Sequence, residues 1–261
     1  VIQNDQHSVL ARNMNIKIIE LLSAANDLNK DEKTGFDILK KWKGGLMSKD
    51  LAAAAVFEIF YFKLSNNLLK DEIDTALYSS YFNEFMLRFA IGNIWNNPAS
   101  GWWDDITTGK KESMTDIVRK TLSNSVEFLT ANFGTDTVKW KLGNFHALSL
   151  EHPLGTINIL NKIFHLNRGP LEVGGSTYTI SRYSYPFNEP FKCNFGSSQR
   201  HIYNVADWDA SRTVIPTGNS GEPASKFYCD QTQMYVNGQY HGEYFSDDSV
   251  KKHEKFKLIL K

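Results

Sequence analysis

The first half of the chain carries a helical rhythm of apolar residues. Leu10, Met14, Ile18, Leu21, Ala25 and Leu28 recur at spacings of three and four, which places them on one face of a helix. Ser48 is positioned to cap a second helix, with Asp50 in a first turn where the dipole favours an anion. Leu51, Ala55, Ile59 and Phe62 make its stripe, and Ile73, Leu77, Tyr81, Phe85 and Phe89 make that of a third. Asn97-Pro98 and Gly101 interrupt the pattern. Ser113-Met114-Thr115-Asp116 then reads as a capping box before Val118, Leu122, Val126 and Leu129, with Gly134 as the stop. The aromatic residues in these helices read as core.

From about Trp140 the pattern changes. Gly, Pro, Asn and Ser become frequent, and short alternating segments predict strands at Ser176–Ile180 and Arg212–Ile215. In the tail, Phe256, Leu258 and Leu260 alternate with Lys255, Lys257 and Lys261, which predicts a last strand with one wet face. Helices first and strands later indicate an α+β fold: a helical region at 1–135, then antiparallel strands in a β-rich region with polar loops at 136–261.

Charge narrows the field of partners. Lys plus Arg and Asp plus Glu both number 29, a net charge of zero that favours neither nucleic acid nor an anionic membrane surface. No apolar run reaches the ~18 residues of a membrane span, and no signal peptide opens the chain, so Val1 reads as the end of a processed chain or as an artificial boundary. The two cysteines, Cys193 and Cys229, impose neither a disulfide scaffold nor a metal site, and whether they pair stays open.

The densest polar stretch runs from Gly196 to Gln231. It contains Gly196-x-Ser198-x-Arg200, an Asp207-Trp208-Asp209 triplet, and the turn Pro216-Thr217-Gly218-Asn219-Ser220-Gly221. So many small, charged and hydroxyl residues imply a fixed backbone whose polar groups are satisfied locally. Arg200 with Asp207, Asp209 or Asp230 reads as a buried ion pair that clamps adjoining turns, because a guanidinium meets a carboxylate in two places at once. Ser220, between glycines, is a candidate nucleophile, but no apolar strand feeds its turn as a nucleophile elbow requires. A Ser220–His152–Asp230 triad can be written from sequence alone, and only geometry decides such sets. His146, His152 and His165, with Glu151, form no metal-binding spacing and read as hydrogen-bonded loop histidines. No catalytic, cofactor-binding or metal-ligating residue is assigned.

The same stretch resembles the C-terminal part of the heavy chain of the penicillin acylases, which include the acylases of aculeacin and of acyl-homoserine lactones. The matching pieces are Gly196-x-Ser198-x-Arg200, Asp207-Trp208-Asp209-x-Ser211, Pro216-Thr217-Gly218-x-Ser220-Gly221, Ser225-x-x-Tyr228-x-Asp230-Gln231 and Gly238-x-Tyr240. Trp140-Lys141-Leu142-Gly143-Asn144-Phe145-His146, His152-Pro153-Leu154, Gly174-Gly175-Ser176-Thr177 and Ile2-Gln3-Asn4-Asp5 extend the match over nearly the whole chain.

The resemblance implies a portion of a four-layer αββα sandwich, a periplasmic or secreted location, and a parent enzyme that cleaves amides with the N-terminal serine of its heavy chain. There the α-amino group acts as base, and a backbone amide and an asparagine stabilise the oxyanion. Residue 1 here is Val, which has no hydroxyl. The family's serine, its oxyanion asparagine and its calcium ligands lie N-terminal to everything matched, so the chain carries no cofactor of its own. The implied partners are the remaining acylase segments, namely the light chain and the N-terminal part of the heavy chain, with self-association when the chain is alone. A non-catalytic binding or structural module with the same fold is the alternative; an internal-serine hydrolase is the third reading.

Overall fold

A computed structural model describes residues 2–74, 76–78, 84–255 and 257–259 of the chain. It divides the chain into two units, 1–149 with 172–196, and 150–171 with 197–261. The first unit is organised around the helix Ala52–Leu69. Ala53 to Phe60 are all buried along it, including both Phe57 and Phe60, so a single stripe cannot describe it. A helix apolar on every side needs cover on every side.

That cover comes chiefly from α5 (Met114–Phe133) and α2 (Lys30–Lys41), with α4 (Glu84–Trp95) beside them; α1 (Val9–Ser23) packs on α2 and α5, and Ala52–Leu69 is α3. Helix α5 follows its predicted pattern. Ser113 and Asp116 form the capping box, Val118, Leu122, Val126 and Leu129 are buried, and Gly134 ends the helix at φ 81°. Helix α2 has no counterpart in the sequence reading. It starts at a capping box of Asn29 and Glu32, and the buried Glu32 carboxylate also takes Arg119 of α5 through Nε at 3.2 Å and Nη2 at 3.0 Å. One acidic side chain therefore both starts a helix and fastens it to its neighbour.

Several expectations for this unit are corrected. Helix α1 ends at Ser23 and so does not reach Ala25 or Leu28. Ser48 does not cap α3: Leu51 occupies the N-cap without a side-chain bond, while Leu51 N–H donates to Ser48 O at 3.2 Å and closes a separate turn. The third stripe fails because Leu77 and Phe89 are exposed; Leu87, Ile91, Ile94 and Trp95 face the core instead. Tyr81 and the side chain of Phe85 lie outside what is described.

The strands of the first unit are short. β1 (Ala147–Leu150) pairs with β4 (Lys192–Cys193), Leu148 opposite Cys193, and this pair is parallel where antiparallel strands were expected. β3 (Tyr183–Ser184) and β5 (Phe195–Gly196) pair antiparallel. β2 (Arg168–Glu172) lies where the chain passes from one unit to the other. The predicted strand at Ser176–Ile180 is a turn. Ser176 Oγ accepts from Tyr178 N–H at 3.1 Å and Thr179 Oγ1 accepts from Ser176 N–H at 2.9 Å, so side-chain hydroxyls take the groups that a ladder would use.

In the second unit β6 (Arg200–Ile202), β7 (Arg212–Val214) and β8 (His241–Gly242) form one antiparallel sheet, with Arg200 opposite Val214 and Thr213 opposite His241. The strand expected at Arg212–Ile215 is thus present. The short helices are α6 (Asn158–Phe164), α7 (Thr232–Val236) and α8 (Asp247–His253). The predicted last strand rests on Phe256 and Leu260, which lie outside the described residues.

Three outcomes follow from this packing. A Cβ on Gly35 of α2 would lie 2.6 Å from Leu122 Cδ1 and 2.8 Å from its Cγ, both in the core of α5. Gly35→Ala is therefore expected to destabilise by about 1–3 kcal/mol in urea unfolding, despite the gain in helix propensity; a more stable variant refutes the close α2–α5 packing.

Burial holds the His146 pKa down at about 4, against the weaker pull of the Val173 and Tyr183 carbonyls. The unfolded chain takes that proton first, so the stability is complete above about pH 6.5 and is lost as pH falls toward 4. The loss is about 3 kcal/mol at most. His146→Gln should flatten that slope in urea titrations at pH 4.5 and 7, and an unchanged slope refutes the assignment.

Arg200 is 3 % exposed and donates Nη1 to Tyr235 O at 2.9 Å, with its guanidinium 4.2 Å from the Tyr235 ring centroid. Arg200→Ala removes that bond and leaves a cavity, costing roughly 2–4 kcal/mol. Its melting temperature should fall well below that of the exposed Lys251→Ala, and equal values refute a structural role.

Candidate functional site

The polar stretch singled out in the sequence is assembled within the second unit by β6, β7 and α7. Arg200 opens β6 and points at α7. The Tyr235 ring stacks on the guanidinium, and the Tyr235 hydroxyl donates to Ser197 O at 2.8 Å. Gln231, just before α7, accepts from Ile215 N–H at 3.0 Å through Oε1, and His241 Nε2 lies 3.1 Å from the same oxygen. Thr232 Oγ1 donates to Pro216 O at 2.9 Å. Side chains from one short helix thus hold the Pro216–Gly221 turn and two strands.

Two of the carboxylates expected to clamp Arg200, Asp207 and Asp209, have other tasks. Asp209 Oδ1 accepts from Phe245 N–H at 2.7 Å and Ser246 N–H at 2.9 Å, and Oδ2 accepts from the Ser246 hydroxyl at 2.5 Å. The Ser246 hydroxyl, then these backbone donors, hold the Asp209 pKa below the usual carboxylate range. Asp207 caps the turn at Trp208–Ala210 through Asp209 N–H. Arg200 meets the Tyr235 carbonyl and ring. The clamp exists, but an arginine on an aromatic ring and a carbonyl makes it, and carboxylates on backbone amides extend it. Tyr235, His201 with Glu243 at 3.0 Å, and His241 were not found from sequence, because each partner lies ten or more residues away in a segment with no periodic pattern.

The structure does not bring the written triad together. Ser220 Oγ accepts from Glu222 N–H at 3.1 Å and His152 Nδ1 accepts from Leu154 N–H at 3.1 Å, each inside its own turn. Among the described residues no hydrogen bond joins Ser220, His152 and Asp230. The expected loop role fits His152. It fits His146 too, which lies just before β1, fully buried in the first unit, with Nδ1 3.1 Å from Val173 O. His165 ends α6 in the left-handed region at φ 49°. Cys193 is buried, and neither it nor Cys229 is in a disulfide.

The first unit contains a separate slot lined by Glu58, Tyr61, Leu87, Tyr178, Tyr185 and Phe187. Tyr185 donates its hydroxyl to Glu58 Oε1 at 2.8 Å. Burial, and then the Glu58 charge, push the Tyr185 pKa well above its ordinary value, so it stays a donor and not a nucleophile. Among the described residues no group of three His, Cys, Asp or Glu side chains is placed to hold a metal ion.

Relatives include the acyl-homoserine lactone acylase QuiP of Pseudomonas putida, 23 % identical over 205 residues, covering 75 % of this chain and 24 % of that protein. The penicillin acylase 2 proenzyme of a Pseudomonas species is 27 % identical over 143 residues, covering 50 % and 17 %. The thermostable penicillin G acylase of Alcaligenes faecalis shares the fold, with a TM-score of 0.50 at 12 % identity over 98 % of this chain and 47 % of that one. The chain spans about a quarter of the length of the curated relatives it matches. The family model described as penicillin amidase matches residues 1–252. With the match this nearly end to end, the chain belongs to the penicillin amidase family.

Proposed function

We propose that the chain is the C-terminal portion of an N-terminal-nucleophile amidohydrolase that cleaves acyl-amide bonds, in substrates of the penicillin or acyl-homoserine lactone kind. One observation carries this reading: a family match over residues 1–252 in a chain that covers only 24 % of its relative's length. Support also comes from the site chemistry. The hydroxyls, imidazoles and carboxylates described above are committed to turns, caps and core packing, which is the work of a scaffold and not of a nucleophile with its base.

In this reading the serine, oxyanion donors and calcium belong to the remaining segments, the light chain and the N-terminal part of the heavy chain. The strands here are part of the four-layer sandwich. No helix among the described residues is long and apolar enough to cross a membrane; a periplasmic or secreted location is proposed from the family.

The isolated chain is expected to leave penicillin G, aliphatic acyl-amides and acyl-homoserine lactones intact in an assay of released amine. Turnover above the protein-free blank that survives repurification refutes this. If Ser220→Ala then abolishes that turnover, the internal-serine reading replaces it.

A further inference from the structure

Asn237-Gly238 is the single Asn-Gly pair in the sequence. Asparagine is thermolabile because the next backbone nitrogen can attack its side-chain amide. A following glycine has no Cβ to crowd that nitrogen. Here the pair closes α7, with Asn237 as its exposed C-cap and Gly238 in the left-handed region at φ 66°. Attack needs the Gly238 nitrogen to swing beside the Asn237 side chain. At ψ 3° it instead eclipses the nitrogen of Asn237, and Cβ lies a third of a turn away around the Cα–C bond.

The nitrogen is also held. Gly238 N–H donates to Tyr235 O at 3.2 Å, and Gln239 N–H donates to Met234 O at 2.8 Å. Tyr235 O is the carbonyl that accepts Arg200 Nη1 at 2.9 Å, so its two lone pairs serve both donors. The rotation that brings the Gly238 nitrogen to the amide must first open the end of α7. Thr232 Oγ1 on Pro216 O at 2.9 Å and the Tyr235 hydroxyl on Ser197 O at 2.8 Å resist that opening. A helix of five residues depends on such neighbours, and its opening is a local event that leaves the rest folded.

We propose that Asn237 is a self-modifying site, and that the hold of Arg200 and Thr232 on α7 sets how fast it deamidates. In the opened helix the Gly238 nitrogen attacks Asn237 Cγ, a new Cγ–N bond forms, and the Cγ–Nδ2 bond breaks. Nδ2 leaves as ammonia and takes the proton that the Gly238 nitrogen gives up. Water then opens the cyclic imide. Opening on one side gives aspartate, and opening on the other gives an isoaspartyl link in which Cβ enters the main chain. Either product sets a carboxylate at the C-terminal end of α7, where the helix dipole disfavours an anion. The isoaspartyl link also lengthens the backbone before Gly238, which takes its N–H off Tyr235 O and loosens the carbonyl that Arg200 uses.

The test incubates the full chain at mildly alkaline pH, folded and in urea, and follows the Asn237 peptide by mass spectrometry with enzymatic counting of isoaspartate. In urea Asn237 is expected to react before any other asparagine. The folded chain should react roughly tenfold more slowly or less, because only the locally opened state is competent. Arg200→Ala, shown to be folded by circular dichroism, should raise the folded-state rate severalfold. If that variant unfolds, Thr232→Val, which frees α7 from Pro216 O, is read in its place. Equal rates folded and in urea, or a folded-state rate that the variant leaves unmoved, overturn the control by α7. Another asparagine reacting first in urea, or no isoaspartate at Asn237, overturns the site. Separated by its added charge, the modified chain should melt below the unmodified one, and equal melting temperatures overturn the link to Arg200.

Discussion

The demand of α3 for cover shapes the first unit. From Ala53 to Phe60 it is buried on every side, and Leu64, Leu68 and Leu69 continue the burial to its end. Small residues at Ala53, Ala54 and Ala55 let neighbours approach closely, and the aromatic rings beyond them set where those neighbours stop. Phe57 meets Trp42 at 5.5 Å, Phe60 meets Trp95 at 6.5 Å, and Trp95 meets Trp103 at 6.1 Å. Trp42 caps the end of α2, Trp95 ends α4 and Trp103 lies in the turn after it, so the ends of helices and the connection are fixed by the same burial that fixes α3.

Phe191 shows what this packing can enforce. Its backbone sits at φ 71°, a region that costs a non-glycine residue roughly 1–2 kcal/mol. The ring lies 5.0 Å from Phe145 and 5.3 Å from both Phe62 and Tyr185. Moving Phe191 out of that conformation would withdraw a ring from three partners at once, and the burial of a large aromatic outweighs the local cost. The conformation also presents Phe191 O to Ala147 N–H at 3.3 Å, at the start of the β1–β4 pairing. A strained residue thus places a strand.

How much of this was legible depends on whether a signal is local. The α5 capping box and stripe were read correctly because every part lies within one run of residues. Helix α2 was missed even though Asn29 and Glu32 carry a capping-box spacing, because Thr34, Gly35 and Asp37 dilute its periodicity. Its stability comes from Arg119, which is 87 positions from Glu32. The strand at Ser176–Ile180 failed for a different reason: alternation predicts exposure of alternate side chains, but it does not reveal that Ser and Thr hydroxyls bind the backbone first. The motifs of the polar stretch were legible as motifs, and the family followed from them. Which groups they touch was not, since Arg200 meets Tyr235 and Asp209 meets Ser246, both more than 30 residues away.

The same contrast bears on chemistry. A serine acts as a nucleophile when a base holds its proton and the surrounding backbone leaves it free to attack. Ser220, Ser176 and Ser246 each spend their oxygen on a nearby amide or carboxylate, so their hydroxyls complete turns. Asp209 spends both oxygens on one turn, and its lowered pKa reflects those donors and not a proton-transfer role. Perturbed titration at functional sites comes from groups arranged for a reacting partner; here the donors are the chain's own amides and hydroxyls. The motifs that identify the family in this chain are therefore also the ones that close its turns, with Arg200 held on Tyr235 and Asp209 on the Ser246 turn.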